Sequence, residues 1–490
     1  MSSVETAPLL GAPGPSTLPE TPQNANLSRP ANPKRLSAGV ARMALISRSL
    51  TRTHRIWLFT GIFLVGYAYG LESQTRLAYQ SYATSSFDLH SYLSTINVLR
   101  NVIAVAVQPS AAKIADVFGR FEVIAISTVL YTLGIAIEAS AGSVEVFCGK
   151  ESEEVALLSL KTKKGREDLF HQLDIIGLVL LVTAFSLILA PLTVAGGTAS
   201  HWQSWYIILP LVLGVFLMVA FITWEQRGAR HPLIPFHLLR DRGVWSALAV
   251  RSLLNLAWCT QGNYLYTILI VAFDFSIENA TRILSFFSFF GVITGVLAGL
   301  VIFKIRRLKF IIVGGTLLFM GAFGLLIAYP GGASVSSKDG IIAAQILLGV
   351  AGGFFAYPTQ ASIQASASRE HVAILTGLYL SFYNVGSAFG TCLSGAIWTQ
   401  TLYKSLKRNL SFQPDEGLAK AIYNNPFSII PDYPVGTEIR DAIISSYSSV
   451  QRLLCIAGIC VCIPMIIFAL ALRNPRLSEQ QVQDEDESED

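Results

Sequence analysis

Charged and amide side chains inside long apolar runs are the residues of this sequence that could do chemistry. Arg100 is flanked by Asn97 and Asn101 in the run 91–111. Arg251 and Asn255 stand four apart, on one helix face, in 244–273, followed by Gln261, Asn263, Tyr264 and Tyr266. An arginine at mid-bilayer costs about 2.5–3.5 kcal/mol on insertion scales, so each needs a cavity, a partner or a route to the surface. Such groups can hold a polar solute by hydrogen bonds. For Arg100 a structural hydrogen bond within the bundle is an equal reading, and Arg251 could instead snorkel to the cytosolic side. Glu72 is a titratable carboxylate, a group that can take up and release a proton. It follows Tyr67 and Tyr69, about 25 Å along its span by helical rise, with Arg76 one turn beyond. A surface Glu72–Arg76 pair is the competing reading. Tyr357 and Pro358 after Gly349, Gly352 and Gly353, and Tyr383 and Asn384 after Tyr379, add aromatic and amide groups. Packing is the plainer account of aromatics at these spacings, and close helix contact that of the glycines.

Long helices in a bilayer must position these residues. Hydrophobic residues make up 52% and charged residues 14% of the 490, and mean hydropathy is +0.51, too apolar to coat soluble domains of this length. The net charge of +4 sits in short clusters beside apolar runs, which reads as topology and not as a nucleic-acid surface. Eleven spans, each near the 20 or so residues a helix needs to cross, are expected at 56–72, 91–111, 121–140, 173–196, 204–224, 244–273, 283–303, 309–329, 339–360, 373–398 and 451–472. The fold class is therefore all-α and multi-pass. Cys148, Cys259, Cys392, Cys455, Cys460 and Cys462 lie in or beside apolar segments without CxxC spacing or histidine partners, as small buried hydrophobes do.

Residues 1–33, rich in Pro, Ser, Thr and Asn, read as a disordered tail, and 479–490 as an acidic solvated one. The stretch 5-ETAPLL-10 is similar to the cytosolic dileucine address read by vesicle-coat adaptors, through Glu5, Leu9 and Leu10. Lys34, Arg35, Arg42, Arg48, Arg52 and Arg55 precede the first span with no acidic residue between Glu20 and Glu72, which puts the N-terminus in the cytosol. Parity then fails. Three spans deliver 141–172 to the outside with five Lys/Arg, and 225–243 to the outside with four Arg. With 141–172 in the cytosol, 304-KIRRLK-309 is also inside, and 399–450 is outside. An odd number of crossings is missing between about 140 and 160.

The turn 111-AAKIADVFGRFE-122 resembles the Gly-x-x-x-Asp-x-x-Gly-Arg loop of major facilitator transporters through Asp116, Gly119 and Arg120, with Ala112 at the first glycine. The resemblance implies a conformational latch there. Three longer segments, 67-YAYGLESQTRLAYQSYATSSFDLHSYLSTINVLR-100, 353-GFFAYPTQASIQASASREHVAILTGLYLSFYNVGSAFGTCLSGAIWTQTL-402 and 423-YNNPFSIIPDYPVGTEIRDAIISSYSSVQRLL-454, closely resemble fungal siderophore-iron transporters, a fourteen-helix branch of that superfamily. Where the family continues from Phe-Cys-Gly into helices 4–6, this chain passes from Phe147-Cys148-Gly149 to Lys150, so three helices are expected to be lacking.

The expected organisation is a basic cytosolic tail (1–54), three helices of a first bundle (55–140), a charged loop at the gap (141–172) and two linker helices (173–224). Five helices of a second bundle (225–398), a long external loop (399–450), a last helix (451–472) and an acidic tail (473–490) complete it. The resemblance implies proton-coupled uptake of a ferric hydroxamate siderophore, with 399–450 as a lid. The chelator fills the metal's coordination shell, in keeping with the lack of clustered His, Cys or carboxylates in the sequence. No cofactor motif or nucleophile–base set supports an enzyme. A non-transporting receptor or regulator, and another facilitator activity such as thiol-peptide exchange or drug export, stay open. The plasma membrane is the expected location, an endosomal or vacuolar membrane the alternative.

Overall fold

The computed structural model describes residues 51–118, 120–139, 174–197, 201–229, 238–365, 372–413 and 417–474. The expected dileucine stretch and Cys148 lie outside these residues. The described chain is helical: α1 (Arg52–Ser86), α2 (Leu93–Phe118), α3 (Arg120–Ala139), α4 (Ile175–Val194), α5 (Trp205–Arg227), α6 (Arg242–Gly262) and α7 (Leu265–Val271), then α8 (Ile277–Ile305), α9 (Lys309–Ala328), α10 (Val335–Ala365), α11 (Val372–Asn409), α12 (Gly417–Asn424), α13 (Pro426–Ile429) and α14 (Glu438–Ala471). Every expected span coincides with a helix; by length and apolarity alone, seven of the described helices qualify to cross a membrane. The expected spans also fall on α2, α3, α6 and α11, and the described stretch Ile124–Ala136 of α3 is apolar throughout most of its length.

Short polar residues set the ends of these helices. Thr51, Asp174, Asp241, Ser276 and Thr437 each accept from a backbone N–H in the first turn of the helix they precede. Helix α1 runs well beyond the apolar segment expected at 56–72. Its polar continuation stays helical because Arg76, Gln80, Ser81, Thr84 and Ser85 are buried against neighbours, and Ser81 and Thr84 donate to carbonyls one turn back. The expected span 244–273 is broken at Asn263–Tyr264 into α6 and α7.

One end of the bundle collects basic groups: the start of α1, Arg227, Arg240, Arg242, the turn from Lys304 to Lys309, and Arg473, which pairs with Asp241 at 2.9 Å. The other end carries the α1–α2 junction, α7, α12, α13 and the start of α14. Helix α3 climbs from the basic end, bringing Tyr131 to Tyr69 at the middle of α1 (6.3 Å between rings). Asp174, by contrast, caps α4 at the basic end, where it accepts from the Trp224 indole at 2.8 Å. The described chain thus leaves one end at Ala139 and re-enters at the other at Asp174.

The second half is fully packed. Its core includes Phe319, Phe323, Phe355, Leu348 and Met465, all 0% exposed. In α10, Gly349 and Gly353 meet the backbone of α8, where a Cβ would stand 2.8 Å from Phe287 O and 2.5 Å from Gly291 O. The first half is not packed in this way. From Arg52 to Leu71 every residue of α1 is exposed, including consecutive Ile62, Phe63, Leu64 and Val65, which point to different faces at 3.6 residues per turn. A helix at the rim of a bundle exposes a stripe to lipid; this one exposes its whole girth from Arg52 to Leu71, and most of the described side chains of α3, 124–136, are exposed likewise. Among the described cysteines, Cys259, Cys392, Cys455 and Cys462 are buried, whereas Cys460 is exposed on α14.

Candidate functional site

The site forms where α2, α6 and α11 approach. Gly386 and Gly390 let α11 touch α6: a Cβ would lie 2.0 Å from Ser252 O at the first and 2.4 Å from Leu256 O at the second. That approach carries Arg251 over two tyrosines of α11, with its guanidinium carbon 4.6 Å from the Tyr383 ring centre and 5.4 Å from that of Tyr379. Arg251 therefore turns into the bundle and does not snorkel outward. Its Nε is buried with no hydrogen-bond acceptor. Arg100, from the first half, is half-buried on α2, the helix that packs against α11. Neither arginine is paired with a carboxylate among the described residues.

Asn255 and Asn384 are buried beside this cluster, and each donates to a carbonyl of its own helix, Arg251 O at 2.9 Å and Leu380 O at 3.0 Å. Asn97 donates across the seam to Asn263 Oδ1 at 3.0 Å, at the break between α6 and α7. Asn101 lies one turn further along α2, half-buried. Tyr357 is half-exposed, its ring against Gly295 of α8, and no contact joins it to Arg251. Glu72 pairs with Arg76 in a poorly exposed position, with Tyr131 facing the carboxylate, so the pair lies inside the molecule and not on a solvated face. Asp116 lies in the last turn of α2 and Arg120 opens α3; Gly119 lies outside the described residues.

Tyr264 and Tyr266 stand apart from the arginines, in an aromatic box at the end opposite the basic one. Tyr264 stacks on Trp398 at 3.9 Å and donates to Ser91 O at 3.1 Å. Tyr266, Tyr82 and Phe427 pack edge to face or tilted within about one ring diameter, 4.4 Å separating Tyr82 from Phe427. His90, 0% exposed, lies at the centre, 5.7 Å from Phe427, 5.9 Å from Tyr264 and 6.1 Å from Trp398. Helices α12 and α13, in the segment expected to be a lid, supply Phe427 and the buried Tyr423. Burial pushes the Tyr423 phenol up to about 12. The sequence pattern did not single out His90, Trp398 or Phe427, and Tyr69 served only to place Glu72. A histidine set in the short junction between two spans was the one visible sign.

No set of three His, Cys, Asp or Glu that could hold a metal occurs among the described residues. The arrangement offers cations, amides and aromatic faces to an oxygen-rich solute.

The profile of the Major Facilitator Superfamily matches residues 171–391. The chain is 34% identical to siderophore iron transporter 1 of Saccharomyces cerevisiae, with 91% of this chain and 86% of that protein aligned. It is 32% identical to siderophore iron transporter ARN1 of the same yeast, over 86% and 82%, and 27% identical to MFS siderochrome iron transporter C of Aspergillus fumigatus, over 90% and 87%. With a third of its residues shared along nearly the whole of both chains, this protein belongs to the fungal siderophore iron transporter family of the major facilitator superfamily.

Proposed function

We propose that this protein is built to take up ferric siderophores of hydroxamate type by proton symport, through the space between its two halves, and that the 490-residue form lacks part of the first wall. The observation that carries the reading is Arg251, held over the Tyr383 and Tyr379 rings with its Nε unpaired, where α6 and α11 meet and α2 of the first half packs on α11. Alternating access requires that both halves grip one solute near the midplane. A hydroxamate chelate offers oxygens to guanidinium groups while satisfying its own metal, so the protein needs no iron ligands. Asn97, Asn101, Asn255, Asn263 and Asn384 add amides around the path, and Tyr357, Tyr264 and Tyr266 add aromatic surface. Glu72 would take the coupling proton, its protonation freeing Arg76. Asp116, Gly119 and Arg120 would latch one state. The basic end faces the cytosol in this reading and the aromatic box faces outward.

Support for a missing segment comes from three directions: the charge parity, the bare girth of α1, and the exits at opposite ends at Ala139 and Asp174. The alignment with siderophore iron transporter 1 also runs over 542 positions, more than this chain's 490 residues, so it spans positions that this chain lacks. The test is uptake of radiolabelled ferric hydroxamate by cells without other carriers. The 490-residue form should give no saturable, uncoupler-sensitive accumulation, and reinsertion of three helices between Gly149 and Lys161 should restore it. Robust uptake by the short form overturns the claim that the gap disables it; no uptake by the well-expressed restored form overturns the transport reading.

A further inference from the structure

We propose that His90 is the proton-sensitive latch of the outer gate: neutral, it ties the two halves together; protonated, it releases them. The imidazole bridges the halves directly. Its Nδ1 lies 3.3 Å from Thr84 Oγ1 of α1, and its Nε2 lies 2.9 Å from Thr267 Oγ1 of α7. The Thr84 hydroxyl donates its one proton to backbone carbonyls, Gln80 O at 3.0 Å with Ser81 O at 3.1 Å, so it can only accept from the ring. That assigns the proton to Nδ1 and leaves Nε2 to accept from Thr267. A second proton would occupy Nε2, reverse this bond so that the rotated Thr267 hydroxyl accepts, and leave a full charge on a completely buried ring.

No countercharge is at hand. The groups facing His90 are Thr84 and the Ser81 backbone from α1, Tyr264 and Thr267 from the α6–α7 break, Trp398 from α11 and Phe427 from α13. The surrounding titratable groups are Tyr82, Tyr266, Tyr423 of α12 and Tyr447 of α14, all phenols that stay neutral across the acid range. Asp88 turns away to Asn425 at 3.0 Å, and Arg440 pairs with Asp274 at 3.1 Å. Burial accordingly pushes the imidazole down to about 4. Besides the Asp88–Asn425 bond, neutral hydrogen bonds cross this seam: Ser85 to Asn425 at 2.6 Å, Tyr264 to Ser91 O, and Asn97 to Asn263.

An imidazole released to water titrates near 6.5. Above that pH both states are neutral and the latch holds. Between about 6.5 and about 4 only the open state takes a proton, so the closed-to-open ratio falls by up to tenfold per pH unit; below about 4 it levels off. An acidic exterior would thus favour the state that admits a solute from outside.

The opening can be measured on the 490-residue chain itself, independently of transport. With native cysteines replaced, spin labels at the exposed Tyr92 and Ser428 report the separation across the seam by pulsed electron resonance in frozen vesicles. The long-distance fraction should grow as pH falls from 7 to 4. It should stay constant in His90→Gln, whose amide can bond both threonines without titrating, and the step should persist in Asp88→Asn. Thr267→Val, which keeps the imidazole, should raise the long-distance fraction at every pH. A pH-independent separation in the parent chain, an undiminished step in His90→Gln, a step lost in Asp88→Asn, or no effect of Thr267→Val would each overturn the latch.

Discussion

Arg251 is a buried cation whose bonding the protein leaves incomplete. A cation over aromatic faces gains about 0.5–2 kcal/mol, against an insertion cost of about 2.5–3.5 kcal/mol for arginine at the helix centre. Its Nε finds no acceptor in the protein. The deficit is the size of one charge-assisted hydrogen bond, about 1.5–3 kcal/mol, which a solute's oxygen could supply. In the form with the helices restored, Arg251→Ala should therefore cut ferric-hydroxamate uptake at least tenfold while protein abundance stays near normal. Glu72→Gln should remove the uncoupler-sensitive part of accumulation and leave surface binding of the chelate unchanged. Both outcomes are read by the same radiolabel assay, with and without uncoupler. Normal uptake in either variant removes that residue from the site.

At the scale of elements, the site depends on how closely α11 can lie on α6. Gly386 has no room for a Cβ, because the nearest atom would be the Ser252 carbonyl oxygen at 2.0 Å, a backbone atom that cannot rotate away. Gly386→Ala should destabilise the second half by about 1–3 kcal/mol, as overpacking does. It should also lift Arg251 off its tyrosines, so both the thermal midpoint in detergent and chelate binding should fall. Gly299→Ala on α8, where nothing lies within 4 Å, is the matched control and should be neutral or slightly stabilising. Equal midpoints for the two variants would show that the α6–α11 contact is not what limits stability. Parts of this were readable beforehand: the spans, and glycines in α10 as contact points. The partner of each glycine was not, because a small residue marks the chance of an approach but not the helix that takes it.

For the whole molecule, the contrast between halves matters most. The second half buries Phe319, Phe323 and Phe355 completely, while Trp57, Phe59 and Phe63 of α1 are exposed. Apolar residues around the full girth of α1 can rest against lipid, but the Glu72–Arg76 pair on the same helix needs protein around it. A photoactivatable lipid probe should therefore modify residues 56–65 of α1 in the 490-residue form on all faces. In the restored form the modification should shrink to one stripe, as read by peptide mass mapping. An identical pattern in both forms would mean that the reinserted helices do not pack against α1.

The sequence by itself determined that the chain is helical and membrane-spanning, where each span falls, and that charge and parity disagree between 140 and 160. These follow from local quantities, since apolar length and the sign of flanking charge are properties of contiguous residues. It also singled out Arg100, Arg251 and Glu72, because an ionisable group in an apolar run stands out without any fold. Only the tertiary structure decided what these groups face. Arg251 meets Tyr379 and Tyr383 more than a hundred positions away, Tyr264 belongs to an aromatic box and not to the arginine cluster, and His90 closes the seam between the halves. The physical reason is that contacts between helices depend on rotation and crossing geometry, which single-helix periodicity leaves free until neighbouring helices pack together.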